Sequence, residues 1–242
     1  MRLWNKSTRL QAEFSFNKDS NPEIRSLAAD PNGVWLAAVD SERSLRVWDI
    51  SADRSAVKNL DQALGLRRAT DGKILLAVAS SRLIVSDSKN SLQVWDLVAK
   101  SKLEKIDISG QPDSISVSSD AAWAATTYGT ESVGLHKIDQ PAAEVTLRCA
   151  GPVTSTAFSP TGSYLAAVTS KGTLEVFATD SGTRCAFMRV DGSLSCSAWL
   201  PRSSAIAVGG LRGLYLFEYQ DEKLSSSTAA TSERRAATAA PE

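Results

Sequence analysis

Histidine is the side chain most readily recruited as a base or metal ligand near neutral pH, and this chain has one, His136. A zinc site needs three or four closely spaced ligands, and a nucleophilic triad needs a His flanked by a nucleophile and an acid. No such set can be assembled around a lone His136, which stands where other segments carry an aromatic ring, so it reads as a packing residue. The three cysteines, Cys149, Cys185 and Cys196, are odd in number and lack metal spacing. They read as inert, half-buried thiols suited to a reducing compartment. Gly209-Gly210-Leu211-Arg212-Gly213 has the glycines of a phosphate loop. It lacks the following Lys-Ser or Lys-Thr and precedes a strand rather than a helix, so a tight hairpin is expected. No catalytic residue, metal ligand or cofactor is expected.

The elements that carry these residues repeat. Ser44-Leu45-Arg46-Val47-Trp48-Asp49 returns as Ser91-Leu92-Gln93-Val94-Trp95-Asp96, with the alternation of a half-buried strand. Weaker copies end at Trp4, His136, Phe177 and Phe217, and the spacings from Trp4 onward are 44, 47, 41, 41 and 40. Asp30-Pro31-Asn32-Gly33 and Ser159-Pro160-Thr161-Gly162 read as tight turns, and each starts 18 residues before its aromatic. Between Asp61 and Asn90 two registers are open. Either Asp71-Gly72 is the first turn and Ile74 to Ala79 the second strand, or Ser80-Ser81 is the turn and Leu83 to Val85 that strand. The first is favoured.

A period near forty with a Trp-Asp ending resembles the WD40 repeat, whose copies are four-stranded blades of a β-propeller. The resemblance implies an all-β propeller of about five blades plus a half-blade at the N-terminus. Met1 to Phe16 supplies only a third and fourth strand. The ring is therefore expected to be incomplete or open, and to need upstream residues or another chain for completion. The propeller spans 1–224, and 225–242 is a Ser/Thr/Ala-rich tail with too little apolar surface to order. WD40 repeats commonly carry a Gly-His pair before the first strand and an Asp six residues before the aromatic. There is no Gly-His pair here, and those positions hold Glu42, Lys89, Thr130, Lys171 and Leu211. The family's hydrogen-bonded network is thus expected to be absent or rebuilt, leaving apolar packing to hold the blades.

With 27 basic and 27 acidic residues, the chain has no basic field for nucleic acid. Its apolar runs are too short to cross a bilayer as helices. The resemblance implies a non-catalytic scaffold that binds protein partners in a multi-subunit assembly, cytoplasmic or nuclear, through loops preceding the third strands. The candidate contacts are Glu42, Arg43, Lys89, Asn90, Tyr128, Glu131, Lys171 and Arg212. An alternative is suggested by Leu66-Arg67-Arg68-Ala69 and Lys171-Gly172-Thr173, which resemble pieces of phosphoinositide-binding propellers. The glycine that should follow the arginines is missing.

Overall fold

The computed structural model describes residues 2–4, 10–13, 23–42, 44–50, 74–87, 90–141, 144–201 and 203–220. All described regular structure is β. An N-terminal hairpin pairs β1 (Arg2–Trp4) with β2 (Leu10–Glu13). Five antiparallel sheets follow, each a meander in chain order. Blade 1 is β3 (Ile24–Ala29), β4 (Trp35–Asp40) and β5 (Leu45–Asp49). Blade 2 is β6 (Leu76–Ala79), β7 (Arg82–Asp87), β8 (Ser91–Asp96) and β9 (Ser101–Asp107). Blade 3 is β10 (Ser114–Val117), β11 (Trp123–Thr127), β12 (Ser132–Lys137) and β13 (Glu144–Arg148). Blade 4 is β14 (Val153–Phe158), β15 (Tyr164–Thr169), β16 (Thr173–Ala178) and β17 (Arg184–Arg189). Blade 5 is β18 (Leu194–Trp199), β19 (Ala205–Gly210) and β20 (Gly213–Glu218). The first strands adjoin one another in series, β3 against β6, β6 against β10, β10 against β14 and β14 against β18. This is a five-blade propeller arrangement.

Blades pack face to face, so the middle strands are buried on both faces and the usual in-out alternation disappears. Successive side chains still point to opposite faces, and the third strands divide their residues accordingly. Leu45 and Val47 reach forward onto Leu76, Val78, Leu83 and Val85 of blade 2. Leu92 and Val94 meet Ala124 and Ile138 of blade 3. Val133 and Leu135 meet Leu165, Ala167 and Phe177 of blade 4. Leu174 and Val176 meet Ile206, Val208, Tyr215 and Phe217 of blade 5. The aromatic that follows each forward pair points backward, as Trp95, Phe177 and Phe217 do. Second strands present Ala37, Ala38, Ala124, Ala125, Ala166 and Ala167, none of them exposed, and these small side chains let neighbouring sheets approach. Trp48, Trp95, His136, Phe177 and Phe217 thus occupy equivalent third strands, as their spacing predicts.

The first-to-second-strand turns follow their chemistry. Gly33 donates to the Asp30 carbonyl (2.9 Å) and Gly162 to that of Ser159 (2.9 Å), with φ of 72° and 73° at the two glycines. Blade 3 makes the same turn with Ala121 at the positive-φ position (56°).

In blade 2 the favoured register is the wrong one. Leu76–Ala79 is the first strand, Ser80-Ser81 the turn and Arg82–Asp87 the second strand, so that Leu83 lies opposite Trp95. Asp71-Gly72 lies outside the described residues. Ser80 and Ser81 take φ of 44° and 64°, a conformation usually left to Asn and Gly. Neighbouring blades hold Ser80 there: its N–H donates to Asp30 Oδ1 (3.4 Å) and its hydroxyl to the Ser119 carbonyl (2.7 Å).

The cysteines need correction too. Cys149 is buried, but Cys185 and Cys196 are exposed, because β17 is an outermost strand and blade 5 has an uncovered face. The tail 225–242 lies outside the described residues.

Candidate functional surface

The turns between second and third strands lie on one end of the disc, because the blades repeat in a single register. Of the eight residues expected to contact partners, Glu42, Asn90, Glu131 and Arg212 are exposed there. Asn90 adopts φ of 54°, and its carbonyl accepts from the Ile108 N–H (2.9 Å). Arg212 occupies the tip of the Leu211-Arg212 hairpin between β19 and β20, so the glycine-flanked stretch is a tight turn, as its sequence predicts. Tyr128 is half-buried, with its hydroxyl accepting from Thr126 (3.0 Å). Arg43 and Lys89 fall outside the described residues.

Two of the eight are brought together. Lys171 Nζ lies 2.8 Å from Glu131 Oε1, bridging blades 3 and 4 across forty residues of sequence. The two residues thus present one paired site, with Val153 N–H donating to the Thr130 carbonyl (2.9 Å) beside it. Arg67 and Arg68, the core of the lipid alternative, lie outside the described residues. Lys171, which belongs to the same resemblance, is engaged by Glu131.

The interior polar groups are structural. His136 is 1% exposed, and its Nε2 shares a 3.0 Å hydrogen bond with Thr126 Oγ1. Its Nδ1 is buried without a hydrogen-bond partner, and burial lowers the ring pKa to about 4. A histidine closed off from solvent and held neutral packs; it does not shuttle protons to a substrate.

Glu175 was not anticipated. It is 0% exposed and accepts from the Ala150 N–H (2.7 Å), Thr173 Oγ1 (3.3 Å) and Arg184 Nη1 (2.8 Å). Thr173 in turn bonds Thr169 (2.7 Å). The only sequence signal is a Glu inside an otherwise apolar third strand. Cys149, close to this carboxylate, has its thiol pushed up to about 12 by burial first and the Glu175 charge second. Among the described residues, no group of three His, Cys, Asp or Glu side chains is placed to hold a metal ion.

The arrangement can hold other surfaces in fixed positions. Comparison with known proteins agrees with the architecture. The family model for the WD domain, G-beta repeat, matches residues 10–49 and 144–177. No curated protein matches the chain. Among solved structures, a chain in the crystal structure of the mitotic checkpoint complex is similar, with a TM-score of 0.68 and 14% identity. The match covers 90% of this chain and 67% of that one, and at such identity it speaks for the fold alone. With five blades in one register and family repeats matched at residues 10–49 and 144–177, this chain is a β-propeller that carries WD40 repeats.

Proposed function

We propose that this propeller is a scaffold within a multi-subunit assembly, holding protein partners on the end of the disc formed by the second-to-third-strand turns. The observation that carries the reading is the Glu131–Lys171 bridge, which locks charged side chains of two blades into one relative position. A fixed, mixed-charge pattern suits orientation-sensitive recognition more than bulk electrostatic attraction. Propellers of this family typically serve as interaction scaffolds, and the similar solved chain comes from a complex.

A charge-swap series tests this reading. Lys171→Glu alone opposes Glu131 and should release the partner that copurifies with the tagged chain. The double variant Glu131→Lys, Lys171→Glu rebuilds the bridge with reversed polarity. Exposed pairs contribute about 0.2–1 kcal/mol, so both variants should melt near the parent. If the partner reads charge at these positions, the double variant still fails to bind. Retention of the same partner by both variants, and by a further Arg43→Glu, Lys89→Glu variant, would remove the interface from this end of the disc.

A further inference from the structure

The outer strand of a blade is a sheet edge, and proteins usually blunt such edges with charges or with bulges. β9 mixes Lys102 and Lys105 with Glu104 and Asp107, and β13 sets Glu144 against Arg148. β17 is different. It has no acidic residue, and the extra residue in its ladder, Cys185, lies before Ala186, so the stretch from Ala186 to Arg189 is regular. Among the described residues no further strand pairs with it, and Phe187 and Met188 are 51% and 43% exposed.

Two features equip this edge. The Val190 N–H donates inward to the Gly172 carbonyl (2.9 Å). Backbone groups of an antiparallel strand turn alternately toward and away from their neighbour, so Phe187 and Arg189 turn theirs outward. Their side chains share one face of the sheet, opposite Glu175 and Thr173. On that face the fully buried Glu175 holds Arg184 Nη1 at 2.8 Å, and the Arg184 guanidinium lies 5.3 Å from the centre of the Phe187 ring. A buried carboxylate thus orders an exposed aromatic through the arginine laid over it. Arg189, two residues on, is exposed and forms no ion pair among the described residues.

We infer that the β17 edge receives an extended segment of a partner protein, one that carries a carboxylate two residues away from an aliphatic side chain. Its backbone pairs with the outward groups of Phe187 and Arg189. Residues two apart fall on one face of the added strand, which sets the carboxylate beside Arg189 and the aliphatic group beside the Phe187 ring. The charge of the edge selects this occupant. A second copy of β17 would bring the arginines of two strands together with no acid in either, and like charges across strands are unfavourable. The inference goes beyond the scaffold reading and uses the rim of the disc rather than its end, so the charge-swap series and the test below fail independently.

The test uses the full chain and three labelled peptides. The first is Thr-Val-Thr-Glu-Thr-Val-Thr, which offers Val on either side of Glu and so suits both strand directions. The second has Lys in place of Glu, and the third is the acidic peptide N-methylated at Glu and both Val. The acidic peptide should slow amide exchange at Phe187 and Arg189 by about tenfold or more, read by NMR, and leave the already bonded Val190 unchanged. The Lys and N-methylated peptides should do neither. Arg189→Glu should weaken the acidic peptide by roughly fivefold or more and admit the Lys peptide. That variant should melt near the parent, because Arg189 is exposed. No protection of Phe187 and Arg189 at millimolar acidic peptide would overturn the inference, as would equal binding of all three peptides. Acidic-peptide binding unaffected by Arg189→Glu would overturn it too. A parent chain that sediments as a dimer with these two amides already protected would reassign the edge to self-association.

Discussion

Acidification should destabilise this propeller through His136 by an amount that can be worked out in advance. The ring is buried in blade 3, with Nε2 on Thr126 and Nδ1 without a hydrogen-bond partner. A second proton would place an unpaired N–H and a positive charge inside the sheet, and Glu144, opposite on β13 but exposed, does not offset that burial. Burial therefore holds the folded pKa at about 4 against 6.5 for the free side chain. Between these values the unfolded chain binds the proton and the folded chain does not, so stability falls as pH falls from 6.5 to 4 and levels off below. A pKa difference of this size amounts to about 3 kcal/mol in full, with about 2 kcal/mol lost between pH 7 and 5. Urea melts followed by tryptophan fluorescence at pH 7, 6 and 5 measure the loss. Carboxylates titrate too, so the decisive quantity is the difference between the parent and a His136→Phe variant, which installs the ring type of the equivalent positions Phe177 and Phe217. The variant should be flatter by about 2 kcal/mol over that interval, whatever its absolute stability. Parallel pH profiles for the two proteins would refute the argument.

Two other outcomes follow from the interior. Glu175→Ala should cost about 1–3 kcal/mol, because it strands the Ala150 N–H, while Arg184 is half exposed and keeps its water. Glu175→Gln should cost less, and calorimetry showing the Ala variant within 0.5 °C of the parent would dismiss the network as incidental. Iodoacetamide at pH 8 should modify Cys185 and Cys196 in the native protein and reach Cys149 only in urea, since its thiol is buried and pushed up to about 12. Equal modification rates at all three, read by mass spectrometry, would contradict the burial.

The third strands of blades 1 to 4 were legible because both of their faces are buried. Every position there is constrained, and the aromatic slot repeats even when the acidic residue after it does not. The turns at Asp30 and Ser159 were legible because Pro and Gly each impose one backbone angle. Ser80-Ser81 was not, since neither residue prefers positive φ; the turn is held by Asp30 and Ser119, fifty and thirty-nine residues away. Glu175 escaped notice for a similar reason. Its strand neighbours mark it as an intruder, while its partners come from a connecting segment and an outer strand. Glu131 and Lys171 were each legible as exposed turn residues, but their pairing across blades depends on the register between sheets, which spacing alone suggests without fixing.

The expectation that apolar packing alone would hold the blades was too narrow, and the polar contacts that add to it explain how the fold survives such weak motifs. Hydrogen bonds across blades fall at the repeat spacing. Arg82 Nη1 reaches the Ala121 carbonyl over 39 residues, Thr154 the Leu194 carbonyl over 40, Ser119 the Pro160 carbonyl over 41, and Trp199 Nε1 the Ala157 carbonyl over 42. In each case the acceptor is backbone, which any residue at that position supplies, and only the donor is specified by sequence. Side-chain pairs such as Ser116–Thr156 (2.8 Å) and Ser155–Ser197 (3.3 Å) need only a hydroxyl on each side. A network that demands His, Asp, Ser and Trp together is lost with a single substitution, whereas donor-to-backbone bonds tolerate drift at one end entirely. That asymmetry allows a chain with 14% identity to a solved propeller, and family repeats matched only in its first and fourth blades, to keep five blades in one register.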